Sequence, residues 1–214
     1  MRQSYRVLAG AVVVLLGSID RAAAGWNSAV QAEAAVLINR FLRPSGVPQT
    51  APALSLAVGI DGELAWSAGV GEEAPGRPAT ADTVYRIGSI TKQFTAAAIL
   101  RLMERGAVSR QNGTPLVLEA PVSDYIEGVE GWTGDDQPPV TVRSLLNMTS
   151  NLPNFTRRPP SGLDPWGAVA SRDLMAALKR YRTSGWPGSF EYSNTSYFIL
   201  SEIAGAVGSV DGQT

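Results

Sequence analysis

The chain has 214 residues, a formal net charge of −1 and 44% hydrophobic residues, so it can bury a core and has no basic excess to attract nucleic acid. It contains no cysteine and no histidine, which argues against disulfides, most metal sites, a Cys-His pair and a Ser-His-Asp triad. Any nucleophilic chemistry in these residues therefore needs another base.

The amino terminus is typical of an export signal. Two arginines precede an apolar run over residues 7–19, and three alanines follow at residues 22–24. This order predicts a secretory signal peptide over residues 1–24, with an uncleaved anchor as the alternative. The run is too short to span a bilayer unaided. We expect residues 25–214 to be periplasmic or secreted, with no stable membrane span.

A helix and a hairpin are predicted next. Residues 27–42 place apolar side chains at helical spacing, which predicts an amphipathic helix. Residues 53–60 form a short apolar run, Asp61-Gly62 is a turn signal, and alternate residues over 64–70 are apolar. Together these three features predict a β-hairpin.

The helix that follows Ser89 has little polar face, which predicts burial on most of its sides, and Gly106 fits its carboxyl-terminal cap. Residues 107–140 are predicted to be mostly irregular, with the segment EGWTGDDQPP as a solvated loop.

Three more helices are predicted in the second half of the chain. Thr141 can cap a short helix, and Ser171 can start another. A last apolar helix follows the tetrapeptide EYSN and extends to Val207. A hairpin followed by helices favours an α/β or α+β fold. Because a two-stranded hairpin is marginally stable alone, we expect further strands beyond Thr214, in a longer protein.

Ser89 and Lys92 form the first candidate motif. Spaced i and i+3 at the start of a helix, their side chains share one face. The helix dipole would stabilise a developing alkoxide, and a neutral lysine amine, favoured by burial, could take the hydroxyl proton. Lysine can lose its proton and arginine cannot, which explains a lysine here in an arginine-rich chain. The alternative is an N-cap serine followed by a solvated lysine.

The second motif is Tyr192-Ser193-Asn194, which lies between a turn and the last apolar helix. A tyrosine hydroxyl beside a lysine ammonium can serve as a base or proton relay, and an asparagine amide can orient the lysine or the substrate. The alternative is a core tyrosine with a helix-capping asparagine. Either match can occur by chance, but the two together carry more weight.

These motifs, Ser89-Ile90-Thr91-Lys92 and Tyr192-Ser193-Asn194, resemble the first two motifs of the serine β-lactamase and penicillin-binding protein superfamily, in the class C form. The resemblance extends to the segments DGELAWSAGVG, TVRSLLNMTSNLPNF and WPGSFEYSNTSYFILSEIAG, and covers most of residues 50–214. Class C β-lactamases, D-alanyl-D-alanine carboxypeptidases and related esterases share these segments.

The resemblance implies a β-lactamase/transpeptidase-like fold, in which helices flank an antiparallel sheet and a helical subdomain completes the active-site cleft. It implies an acyl-enzyme mechanism with Ser89 as nucleophile, Lys92 and Tyr192 sharing the base and acid roles, and Asn194 orienting Lys92 and binding a substrate amide. The expected substrate is a β-lactam, a cell-wall D-alanyl peptide or an ester, with no cofactor and no metal.

Two departures from the family pattern bear on these expectations. The third motif, Lys-Thr-Gly or His-x-Gly on a later strand, is absent from the 214 residues, together with the strand amide that completes the oxyanion hole. Because one such donor is worth about 10²- to 10³-fold in rate, we expect the chain as given to be inactive or nearly so. The family's His-Thr-Ser-Gly-Leu-Pro segment reads Met148-Thr149-Ser150-Asn151-Leu152-Pro153 here, which alters either a loop near the site or only a structural turn.

The leading hypothesis is thus a secreted serine hydrolase. A second hypothesis is a non-catalytic protein that binds penicillin or peptidoglycan, or a sensor. A third is a structural secreted protein in which both motifs are incidental. Fold alone does not choose among the family's substrates.

Overall fold

The computed structural model describes residues 28–42, 53–60, 62–164, 167–184 and 188–208. The chain forms two compact units, residues 1–88 and 89–214. In the described ranges, no helix combines the length and the apolar character that crossing a membrane requires. The predicted signal peptide lies outside the described residues.

In its described residues, the first unit contains one helix and two antiparallel strand pairs. Helix α1 covers Ser28–Leu42, as predicted. Strand β1 (Leu54–Ile60) pairs with β2 (Glu63–Val70), and β3 (Glu72–Ala74) pairs with β4 (Arg77–Pro78).

The β1–β2 hairpin confirms its sequence pattern. Ile60 pairs with Glu63, so the strands are joined by the two residues of the predicted turn. Gly62 has a φ of 84°, a left-handed conformation that suits glycine. Along β2, Trp66 and Ala68 are partly buried while their neighbours Ala65 and Ser67 are exposed, which gives the period of two expected of a strand.

In the described residues of the second unit, the regular structure is mostly helical. It contains α2 (Thr91–Glu104), α3 (Val142–Leu146), α4 (Ser171–Leu178), α5 (Asn194–Ala206) and the short antiparallel pair β5 (Val108–Ser109) and β6 (Val207–Gly208). Its core forms where α5 packs against α2 and α3. Ile99, Leu145, Leu200 and Ile203 are fully buried there. Burial of each such side chain contributes about 1.5–3 kcal/mol.

Helix α2 is less buried than predicted. Ile99 is its one buried residue, while Phe94 is 61% exposed and Leu100 is 46% exposed. The predicted burial on most sides is wrong because α5 covers a single face of this helix. The predicted cap is confirmed: Gly106 has a φ of 67° and its amide donates to the Met103 carbonyl at 3.0 Å.

Residues 107–140 are mostly irregular, as predicted, but they contribute to the core. Val122 and Tyr125 are buried beside short 3₁₀ turns. Trp132 is 2% exposed, and its indole Nε1 donates to the Leu178 carbonyl at 2.9 Å. The prediction of a solvated loop at EGWTGDDQPP is therefore wrong at Trp132, because this indole buries its rings and still satisfies its N–H.

The predicted starts of these helices are confirmed. Thr141 caps α3, and its hydroxyl accepts from the Ser144 amide at 3.2 Å. Helix α4 begins at Ser171, as predicted, with Ala170 in the N-cap position. Helix α5 ends at Ala206, and Val207, predicted to be helical, begins β6.

Candidate active site

The start of α2 brings Ser89 and Lys92 together. A 3₁₀ turn, Gly88–Ile90, leads into the helix, and Lys92 Nζ donates to Ser89 Oγ at 3.2 Å. Ile90 occupies the N-cap position without a side-chain hydrogen bond. Ser89 is therefore not an N-cap, and Lys92 is half-buried rather than solvated. The hydroxyl is free to react next to the positive end of the helix dipole.

The start of α5 presents Asn194 to the same lysine. Ser193 is the N-cap of this helix, and its hydroxyl accepts from the Ser196 amide at 3.1 Å. Asn194 is therefore released from the capping role that the alternative interpretation gave it. Its Oδ1 accepts from Lys92 Nζ at 2.6 Å, a short charge-assisted hydrogen bond.

Tyr192 completes the cluster. Its hydroxyl lies 2.5 Å from Ser89 Oγ, and Lys92 Nζ lies 4.7 Å from the centroid of its ring. The side chain is 42% exposed, so Tyr192 is not a core tyrosine. Burial raises the pKa of its phenol, but interactions with Lys92 and Ser89 and the charge of Lys92 outweigh burial and hold that pKa below its ordinary value.

A hydrogen-bond relay behind Asn194 fixes the orientation of its amide. Asn194 Nδ2 donates to Thr156 Oγ1 at 2.9 Å, and Thr156 Oγ1 donates to Asn154 Oδ1 at 2.9 Å. Asn154 is 4% exposed, and its Nδ2 donates to the Tyr192 carbonyl at 3.2 Å. With Nδ2 held by Thr156, Oδ1 is the atom that faces Lys92.

Sequence analysis missed Asn154 and Thr156. Their one signal was position, since Asn154 belongs to the segment TVRSLLNMTSNLPNF that resembles the family and Thr156 directly follows that segment. Nothing in their spacing pointed to Asn194, which lies 38 residues after Thr156 in the chain.

The altered segment Met148–Pro153 is a turn that adjoins the site. Met148 and Asn151 each have a φ of 55°, and the Glu191 amide donates to the Met148 carbonyl at 2.9 Å. Asparagine tolerates this left-handed conformation better than most residues, so Asn151 keeps the turn where the family has glycine. The departure therefore preserves the backbone next to Tyr192.

Tyr197 was also missed as a neighbour of the cluster. Lys92 Nζ lies 5.7 Å from the centroid of its ring, and its hydroxyl donates to the Leu146 carbonyl at 3.1 Å. Burial, with a smaller contribution from the charge of Tyr192, raises the pKa of Tyr197. The signal was its place three residues after Asn194, on the same helical face.

Among the described residues, no group of three or more carboxylate, thiol or imidazole side chains is arranged to hold a metal ion. What the structure does assemble is a hydroxyl, an amine, a phenol and an amide in mutual hydrogen-bond contact. This set can move a proton from a serine to a neighbouring group and so generate a nucleophile.

Comparisons with known proteins place the chain among relatives of related chemistry. A family model described as Beta-lactamase matches residues 38–214. The D-aminopeptidase of Brucella anthropi is 29% identical over 184 residues, 83% of this chain and 31% of that protein. Esterase EstB of Burkholderia gladioli is 36% identical over 85 residues, 39% of this chain and 20% of that protein.

One solved structure is similar to this chain over most of its length. The octameric penicillin-binding protein homologue from Pyrococcus abyssi superposes with a TM-score of 0.62 at 27% identity, over 84% of this chain and 39% of that chain. This likeness confirms the predicted α/β, β-lactamase/transpeptidase-like fold class. The chain spans less than a third of the length of the two curated relatives.

Proposed function

Because the chain belongs to the beta-lactamase family, we propose that it is a secreted serine hydrolase that acts through an acyl-enzyme on β-lactam, D-alanyl peptide or ester substrates. The observation that carries the proposal is the contact between Ser89, Lys92, Tyr192 and Asn194, two pairs of residues about a hundred positions apart in the chain. Two short motifs that matched the family by chance would not be expected to lie in contact.

Ser89 is the proposed nucleophile. Its Oγ attacks the substrate carbonyl carbon, and its proton passes to the pair formed by Tyr192 and Lys92. The Tyr192 hydroxyl is the nearer of the two at 2.5 Å, and its lowered pKa makes the phenolate more accessible than in an ordinary tyrosine. Lys92 stabilises that phenolate and, in its neutral form, can itself take the proton.

The rest of the cycle uses the same groups in reverse. The proton moves to the leaving nitrogen or oxygen as the amide, lactam or ester bond breaks, which leaves an ester on Ser89. Water then attacks this ester, gives a proton to the pair, and Ser89 recovers its own proton as the acid product leaves.

Asn194 has a double role in the proposal. Its Oδ1 holds Lys92, and of the two N–H groups on its Nδ2 one is used by Thr156. The other N–H is available to a substrate carbonyl. The developing oxyanion would lie near the amides at the start of α2, where the helix dipole is favourable.

The names of the relatives support a hydrolase and leave the substrate class as a proposal. An esterase, a D-aminopeptidase and a penicillin-binding protein homologue share this scaffold with the chain. The signal-like amino terminus supports export, which would place the enzyme where cell-wall peptides and β-lactams occur.

Covalent labelling tests the proposal. The protein is incubated with a fluorescent penicillin and with a fluorophosphonate, beside its Ser89→Ala and Ser201→Ala variants. Ser201 is an α5 serine whose hydroxyl bonds within its own helix. We expect labelling of the wild type and of Ser201→Ala, and none of Ser89→Ala.

Other outcomes would favour the other hypotheses. Reversible penicillin binding with no covalent product would favour a binding or sensor protein. A fall in melting temperature in Ser89→Ala, with labelling absent from the wild type, would favour a structural role for the serine.

A further inference from the structure

A charged pocket adjoins the candidate active site. It has a volume of ≈ 210 Å³ and is lined by Pro153, Asn154, Arg157, Arg158 and Glu191. Two of these residues connect it to the site. Asn154 donates to the Tyr192 carbonyl at 3.2 Å, and Glu191 directly precedes Tyr192 in the chain. The pocket is therefore linked to the backbone of Tyr192, whose hydroxyl contacts Ser89.

Within the part of the chain that the structure describes, the charged side chains of the pocket form no ion pair. The ion pairs found among the described residues are Glu73–Arg77, Arg101–Glu104, Glu119–Arg143 and Arg172–Asp173. None of them includes a residue of the pocket. Arg157, Arg158 and Glu191 thus line one concave surface and form no ion pair with one another or with any other described residue.

The backbone holds the two arginines in place. The amides of Arg157 and Arg158 donate to the Asn154 carbonyl at 3.0 Å and 2.8 Å, in a turn anchored by that buried asparagine. The Tyr181 hydroxyl donates to the Arg158 carbonyl at 2.6 Å. The backbone of both arginines is therefore held at the pocket that these residues line.

We propose that this pocket binds a carboxylate on the substrate, so that the enzyme prefers acyl groups that carry a carboxylic acid. The inference rests on the proposed function of Ser89. A guanidinium fork matches the two oxygens of a carboxylate.

Matched esters test the preference. The mono-p-nitrophenyl ester of adipic acid, which has a free carboxylate, is compared with the p-nitrophenyl methyl diester of the same acid. In the diester a methyl ester replaces that carboxylate. The readout is the ratio of kcat/KM for the acid to kcat/KM for the diester. We expect the wild type to favour the acid about tenfold, since the guanidinium groups are exposed and their attraction is screened.

The variants isolate the two arginines. In the double variant Arg157→Gln, Arg158→Gln the ratio is expected to fall to about one. Glu191→Gln is expected to raise it, because repulsion of the substrate carboxylate is removed. The control is Arg172→Gln, which removes an exposed arginine on α4 and should keep the wild-type ratio. An unchanged ratio in the double variant, or an equal loss in the control, would overturn the inference.

The outcome separates this inference from the proposed function. If neither ester acylates Ser89, the proposed function fails, and titration calorimetry with monomethyl adipate and dimethyl adipate then tests the pocket by itself. Weaker binding of the monoacid by the double variant would support the carboxylate site. Equal binding of monomethyl adipate by the wild type and the double variant, or no binding by the wild type, would refute it.

Discussion

The two helices that meet at the candidate site begin in different ways. Helix α2 begins without a side-chain cap, and the contact between Ser89 and Lys92 depends on three residues of local spacing. Helix α5 begins with Ser193 as its cap, and the orientation of Asn194 depends on Thr156, 38 residues earlier. One start is built by local geometry and the other by long-range hydrogen bonds.

The difference assigns separate tasks to the two regions. The start of α2 supplies the reactive groups, so changes there should affect the chemical step directly. The start of α5 and the segment Asn154–Thr156 position those groups, so changes there should have smaller effects that conservative substitution can repair. The predictions below run from the largest expected effect to the smallest.

Of the four substitutions predicted here, Lys92→Arg should cause the largest loss of activity. Arginine keeps the positive charge but cannot lose its proton, and its larger head does not fit the 2.6 Å contact with Asn194. We expect the rate of acylation to fall about 10²- to 10⁴-fold, measured with a fluorophosphonate. Lys179→Arg, which changes the other lysine of the chain, is the control. Labelling retained in Lys92→Arg would remove lysine from the base role.

Tyr192→Phe should lower the acylation rate and also remove a pH-dependent step. The lowered pKa predicts that wild-type acylation rises with pH as the phenol loses its proton, at a pH below that of an ordinary tyrosine. We expect a loss of about 10²-fold and the disappearance of this rise. The measurement is a pH profile of kcat/KM, with Tyr125→Phe as control, because that buried phenol bonds to the Pro115 carbonyl. A rise that persists in Tyr192→Phe would assign it to another group.

Thr156→Val should act through Asn194. Valine keeps the shape of threonine but gives Nδ2 of Asn194 no acceptor, so the amide that holds Lys92 can rotate. We expect kcat to fall about tenfold and Thr156→Ser to restore it, because serine keeps the hydroxyl. In the control Thr95→Val, the lost hydroxyl bonds within α2 to the Thr91 carbonyl. Equal losses in the valine and serine variants would mean that packing matters here and the relay does not.

Ser193→Ala should have the smallest effect and act on stability. It removes the cap that accepts from the Ser196 amide at the start of α5. We expect the free energy of unfolding to fall by about 1 kcal/mol, measured by urea denaturation. Ser201→Ala, on the same helix, should change it less. A fall in the acylation rate that exceeds the loss of folded protein would show that Ser193 takes part in the chemistry.

The sequence predicted what depends on local pattern. The β1–β2 hairpin, the start of α3 at Thr141 and the cap at Gly106 all follow from turn and capping residues that act on their immediate neighbours. The proximity of Ser89 to Lys92 follows in the same way from helical spacing. The encounter of this pair with Tyr192 and Asn194 was inferred from family resemblance, since spacing alone does not bring distant segments together.

The features that the sequence did not predict depend on packing between distant segments. Trp132 lies in a polar segment, yet its indole is buried because the Leu178 carbonyl accepts its N–H. Phe94 and Leu100 belong to an apolar helix, yet they are exposed because α5 packs on one face of α2. Asn154 and Thr156 were missed for the same reason: their roles depend on partners far away in the chain.

Mapping the acyl adduct tests the central claim most directly. The gene product is mixed with excess penicillin or a p-nitrophenyl ester, quenched with acid and digested, and the modified residue is identified by tandem mass spectrometry. The account predicts one acyl group per protein, attached to Ser89, formed faster at pH values that deprotonate Tyr192. An adduct on another residue, or product release without any adduct at Ser89, would contradict it.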